Sequence, residues 1–301
     1  MKAAVMLMAY GSPTSMNDVG DYLKGIYEGR PVPEHAVKEN TEKYAMVNGI
    51  SPSNGIIESV TDKLRKRFRQ DEVGVFLGNK HWKPWISDVV ETIASEGYER
   101  MLAIPLFPFP SHNVVESYAR PLNEIVEKVA PDIRLSIVNG LDSSGAFRRM
   151  WVHLIRETEG IDSGENQIIF TAHSLPNSVN DESGYETAFR NAAERISREA
   201  GIDDYLWGYQ SRGKYGKNWL EPSVYDTFAS IASSGKRGVI TVPIGFLYTH
   251  LEVLYDLDYE FGGFVRRSGM VYSRVQLPDD RPQYIDLLYD TISKGINGNF
   301  L

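Results

Sequence analysis

Short apolar runs, four to six residues long, recur along the chain between longer amphipathic stretches: residues 5–8, 73–77, 101–106, 135–138, 168–172, 205–209 and 239–242. Runs of this length with little polar alternation suit strands buried on both faces. The intervening stretches predict helices over 57–69, 86–96, 114–129, 147–157, 185–199 and 224–233, each long enough to return the chain for a parallel pairing. The pattern predicts an α/β fold with parallel sheets covered by helices. With 301 residues, the chain is about twice a typical domain of ~150 residues, so two cores are expected. The turn-forming run NGLDSSG at 139–145 marks a boundary between them. Residues 12–54 fit the rhythm poorly, and their segment YEGRPVPEH suggests an excursion that walls a cleft.

Composition removes several chemistries. There is no cysteine, which excludes disulfides, thiolate nucleophiles, Cys-ligated zinc and Cys-held iron–sulfur clusters. Any metal must therefore meet His, carboxylate, Tyr or Met. The 40 acidic residues outnumber the 32 basic ones, a net charge of −8 that disfavours nucleic acid and anionic lipid as partners. The apolar opening AAVMLMAY gives way at once to GSP and reads as a first strand. No apolar run approaches the roughly eighteen residues of a membrane span, so the expected setting is the cytoplasm, without an integral membrane segment.

Reactive side chains fall just after the apolar runs, where open α/β sheets place their ligands. Tyr10 follows the first, residues 108–112 the third, His173 the run 168–172, and His250 the run 239–242. His173, in TAHSLP, can take a substrate proton or donate to a metal, while a hydrogen-bonded loop histidine is the bland alternative. Its neighbour Ser174 lacks the glycines of a nucleophile elbow. In THLEVLYDLDYE, Glu252, Asp256 and Glu260 recur every four residues, an acidic stripe on a helix. Like charges at that spacing repel, so the stripe either faces solvent or meets a cation. His250 and Glu252 stand two apart and are not expected to share a helical face.

Other motifs fail or remain open. GYQSRGKY at 208–215 begins like a phosphate loop but has Tyr215 where Ser or Thr should hold Mg²⁺. No G-x-G-x-x-G follows the first run, so no dinucleotide cofactor is expected. HWKPW at 81–85 joins aromatic and basic groups suited to the edge of a flat ligand, or to a loop packed on its own tryptophans. Arg30, Lys80, Lys83, Arg212, Lys214 and Lys217 offer local positive charge.

Taken together, MAYGSP, GRPVPE, GISP, KHWKP, AHSLP, GYQS with WLEP, and VPIGFLYTHLEVLYDLDYE resemble the ferrochelatase family in order and over most of the chain. The likeness is to its short coproporphyrin III and protoporphyrin IX members. The resemblance implies two Rossmann-like lobes of class II chelatase type with a porphyrin cleft between them. One lobe would span 1–142 and be completed by 275–301, the other 143–274. It implies Fe²⁺ as substrate, release of two pyrrole protons, and no organic cofactor. His173 and Glu252 become the catalytic pair, and Tyr10 an iron ligand on the opposite porphyrin face. Asp256 and Glu260 guide Fe²⁺ or hold a second divalent ion, while Arg30, Ser53, His81 and Trp82 bind the porphyrin. Apart from the resemblance, a monomer is the default expectation, and the lack of a membrane segment leaves room for transient contact with a haem-pathway partner.

One departure stands out. Relatives commonly read P-H-F-S where this chain has Pro108-Phe109-Pro110-Ser111, so the usual histidine is Phe109, with His112 a potential substitute. Two alternatives carry the same residues: a cobalt or nickel chelatase of a related tetrapyrrole, and a non-catalytic haem or tetrapyrrole carrier using Tyr10. The acidic stripe beside His173 argues against the carrier, since storage needs no cation path.

Overall fold

A computed structural model describes residues 2–69, 73–161, 164–177, 184–213, 218–231 and 234–298, apart from the side chains of His112 and Asn113. Two compact units emerge. The first comprises Met1–Leu106, Asn113–Gly140 and Asp279–Leu301, and the second Phe107–His112 with Leu141–Pro278.

In the first unit, β1 (Ala3–Ala9), β2 (Val73–Asn79), β3 (Arg100–Pro105) and β4 (Arg134–Ile137) pair in parallel in the order β2-β1-β3-β4. Strand β1 takes the interior because all seven residues of AAVMLMA are buried and none needs a solvated face. Helices Ser53–Arg67 and Ile86–Ser95 pack on the sheet. The C-terminal helix Pro282–Asn297 closes this unit, stacking Tyr289 on Phe68 with ring centres 4.6 Å apart. Asp280, just before it, accepts from Lys63 at 2.6 Å.

The second unit repeats the plan with β5 (Asn166–His173), β6 (Tyr205–Gln210), β7 (Gly238–Val242) and β8 (Val271–Arg274), all parallel, in the order β6-β5-β7-β8. Helices Gly145–Arg156, Tyr185–Ala200 and Val224–Ile231 accompany it. Residues 232–233, the end of the expected helix 224–233, lie outside the described residues.

Three features differ from the sequence reading. The stretch 12–54 carries helices Val19–Ile26 and Glu34–Met46, the latter with Tyr44 alone buried and hence no apolar stripe to announce it. Strand β8 is a short edge strand, VYSR, without an apolar run. The acidic stretch is π-helical over Val253–Phe261 before continuing as an α-helix over Gly262–Arg267.

Segment Phe107–His112 belongs with the second unit because Phe109 is inserted into that core. Its ring, 0 % exposed, meets Phe147, Tyr185 and Phe189 edge-on at 5.7–6.0 Å. A histidine here would have to bury a polar ring among these aromatics. Phe109→Ala is expected to cost about 3–5 kcal/mol of stability, as for other fully buried phenylalanines. Denaturant unfolding followed by tryptophan fluorescence measures this, and a loss below about 1 kcal/mol would contradict the packing role.

Candidate active site

His173 is the last residue of β5, set opposite Gln210 at the end of β6. Two bonds tie this strand end down: Ser174 N–H donates to the Gln210 carbonyl at 2.7 Å, and the Tyr185 hydroxyl donates to the His173 carbonyl at 3.0 Å. The ring Nδ1 donates to the Ser174 carbonyl at 2.5 Å. A carbonyl can only accept, so the neutral ring carries its proton on Nδ1 and leaves a lone pair on Nε2. Ser174 is 1 % exposed with its hydroxyl donated to the Leu220 carbonyl, which suits support and not nucleophilic attack.

Nε2 of His173 lies 3.7 Å from Glu252 Oε2, and Nε2 of His250 lies 3.5 Å from the same oxygen. The sequence reading set His250 aside because residues two apart do not share a helical face. That rule holds within a helix, but His250 precedes the helix and turns back, its Nδ1 donating to the Tyr248 carbonyl at 2.9 Å. Burial opposes ionisation of both members of the His173–Glu252 pair. Their mutual attraction more than offsets it, holding His173 above its ordinary value and Glu252 well below the usual carboxylate range.

The π winding orders the acidic stretch. Gly262 N–H donates to the Leu257 carbonyl five residues back, so each turn takes in more than four residues. Side chains at four-residue steps then fall into columns. Val253, Leu257 and Phe261 are fully buried and form the core column. Glu252, Asp256 and Glu260 recur at the same four-residue step, one position ahead of it. Tyr255 and Tyr259 stack with centres 5.5 Å apart in another. The Ser211 hydroxyl donates to Asp256 Oδ2 in a short bond, from a backbone held at φ 60°. Thus the phosphate-loop look-alike serves the acidic file. Its last two residues, Lys214 and Tyr215, and the Gly216 and Lys217 that follow lie outside the described residues. The Tyr255 hydroxyl is pushed up to about 12 by burial and by its hydrogen bond to Glu260. Among the described residues no group of three or more His, Asp or Glu gathers closely enough to hold a resident metal.

The first unit presents a second set. Tyr10 leaves β1 43 % exposed, its ring 4.5 Å from the buried ring of His81. Backbone bonds from Lys80 to Ala9 and from His81 to Tyr10, each 2.9 Å, extend the β1–β2 pairing to this point. Gly11 follows at φ 85°, where an added Cβ would come within 2.8 Å of Trp82 Cβ; only glycine admits that turn and that approach. His81 donates from Nδ1 to the Gly25 carbonyl at 3.1 Å, and burial together with Lys80 lowers its pKa to about 4, so it is neutral at physiological pH. Trp82 is half-buried against Tyr22, and Arg30 is exposed, with Nε donating to the Tyr27 carbonyl. Ser53 is buried at the start of its helix, bonded to the Ser51 hydroxyl at 3.0 Å. The question of whether His112 substitutes for the family histidine falls outside the described residues, because its side chain does.

Two four-stranded parallel sheets of matching order, with reactive groups at the strand ends, define a two-unit α/β chelatase fold. It is similar to SirB from Bacillus subtilis solved with Fe³⁺, at TM-score 0.63 and 12% identity, covering 100% of this chain and 99% of that one. It is also similar to CbiX, described as the terminal enzyme of sirohaem biosynthesis in denitrifying bacteria, at TM-score 0.57 and 13% identity over 97% and 98% of the two chains. At such identity the likeness is one of fold. The ferrochelatase family model matches residues 2–296. The ferrochelatase of Thermoplasma volcanium is 42% identical over 98% of this chain and 94% of its own length. The coproporphyrin III ferrochelatase of Oceanobacillus iheyensis is 33% identical over 97% and 96%. The chain belongs to the ferrochelatase family, enzymes that insert a metal ion into a tetrapyrrole in haem biosynthesis. No described helix is long and apolar enough to cross a membrane.

His173 contributes stability that is complete below its unfolded value and is lost as pH rises through its raised native value. Glu252 contributes stability that is complete above its unfolded value and is lost as pH falls through its depressed one. Glu252→Gln removes the strongest influence that opposes burial at His173, leaving only the Ser174 carbonyl and Asp256 against it, so its titration, followed by ring ¹⁵N NMR, should move to lower pH. An unmoved midpoint would show that the carboxylate does not govern this imidazole.

Proposed function

We propose that this chain inserts Fe²⁺ into a free-base porphyrin, whose two pyrrole protons are released as the metal takes their place. The observation that carries the reading is the convergence of His173 and His250 on one Glu252 oxygen at the head of the acidic file. In its unprotonated form His173, with its Nε2 lone pair free of the Ser174 bond, can accept a pyrrole proton, and Glu252, which raises the affinity of the ring for a proton, stabilises the imidazolium that results. The negative charge of Glu252, Asp256 and Glu260 favours a hydrated dication along that column, and carboxylates are hard ligands suited to taking the place of its water. Asp256 and Glu260 are also the groups that would hold a second divalent ion, with water completing its shell. Glu252 and His173 in the second unit, and the exposed Tyr10 in the first, are the groups proposed to ligate iron.

For the ring, the proposed contacts are Arg30 for a propionate, Trp82 for the macrocycle edge, and His81 and Ser53 as buried supports of the segments that bear them. A substrate with four propionates gains more from such cations than one with two. The similarity to coproporphyrin III ferrochelatases favours that ring. The proposed setting is the cytoplasm, with the enzyme a monomer that passes haem to a transient partner.

Anaerobic turnover with Fe²⁺ and, separately, coproporphyrin III and protoporphyrin IX tests both activity and ring choice, with Co²⁺ and Ni²⁺ as competitors. His173→Ala should lower turnover by about a hundredfold or more, the scale of a lost general base, while porphyrin binding measured by fluorescence quenching persists. Unchanged turnover in this variant would sink the assignment.

A further inference from the structure

Asp258 stands outside the acidic file, in the column that faces β8. Arg274 Nε donates to its Oδ1 at 2.8 Å and Nη2 to its Oδ2 at 2.9 Å, a two-pronged pair with the arginine side chain 8 % exposed. The Tyr272 hydroxyl, also on β8, lies 3.3 Å from the same Oδ1 and 3.1 Å from Thr241 Oγ1. Arg266 Nη2 donates to the Asp258 carbonyl at 2.9 Å. One four-residue step further on, Gly262 lies against the Tyr272 ring so closely that a Cβ there would come within 2.6 Å of it. Two successive steps of one column are therefore held on one strand.

That restraint bears on the file beside it. In an α-helix every four-residue step carries a side chain about 40° further round the axis, so Glu252, Asp256 and Glu260 would fan out over about 80°. A turn that takes in more than four residues does not advance them in this way. We propose that Arg274 and Asp258 are positioning residues for metal delivery: their ion pair, backed by Tyr272, holds residues 253–261 in the π winding and so keeps the three carboxylates in one file. With the guanidinium buried and the carboxylate part-exposed, the pair does its work through register, since apolar residues of equal volume could supply the packing alone. The role in delivery rests on the proposed Fe²⁺ chemistry, whereas the role in winding does not.

Crystal structures of Arg274→Met and Arg274→Lys, with steady-state kinetics against Fe²⁺ and against porphyrin separately, test the inference. In Arg274→Met the helix should rewind toward bonds four residues apart, and the KM for Fe²⁺ should rise about tenfold while that for porphyrin stays within about twofold. Arg274→Lys keeps the charge but loses the fork, and an intermediate rise for Fe²⁺ is expected; it supplies the test if the methionine variant does not fold. Retention of the π winding in the variant that is solved would overturn the proposal. So would a rewound helix with an unchanged Fe²⁺ requirement, or equal rises for both substrates. Absence of metal insertion by the unaltered enzyme would refute the functional reading instead, and the variant structures would still decide the winding.

Discussion

One carboxylate oxygen facing two imidazole nitrogens is the interaction on which the second unit turns. Glu252 reaches His173 from the start of a helix, while His173 is delivered by the end of a fully paired strand. Neither side chain alone has an unusual setting. Together they hold a separated charge in a partly buried place, where each overcomes the burial that would neutralise it. The surrounding polar bonds serve to keep that geometry: Ser174 and Tyr185 hold the strand end, Tyr248 orients His250, and Ser211 holds Asp256.

The two units solve different problems with the same sheet order. The second gathers acid and imidazole and is stiffened beneath by Phe109 and its aromatic neighbours. The first presents an exposed phenol on a neutral histidine. His81 packs a tilted ring against Tyr10 without adding positive charge near it, because its proton is spent on the Gly25 carbonyl and burial keeps the ring neutral.

Much of this was legible in the residues. The interior strands were readable because parallel strands covered on both faces must be apolar throughout, as AAVMLMA and GVITV are. His173 and Tyr10 were readable because they follow such runs directly. What escaped had no local signal. VYSR pairs as a strand only because β7 offers it a partner, and Glu34–Met46 buries too little to show a stripe. His250 escapes a helical window because it lies just before the helix and turns back onto Glu252. The π winding depends on Arg274 and Tyr272, which lie well beyond the stretch that they act on, so no window of helical periodicity could have revealed it.

The C-terminal helix adds a consequence for the making of the chain. Residues 141–278, nearly all of the second unit, are synthesised as one uninterrupted block, whereas the first unit waits for Asp279 onward before Asp280 can meet Lys63 and Tyr289 can cover Phe68. The half that is begun first is therefore finished last. During synthesis its sheet must persist with one flank uncovered while the other half is already complete, an order of assembly opposite to the usual N-terminal-first sequence.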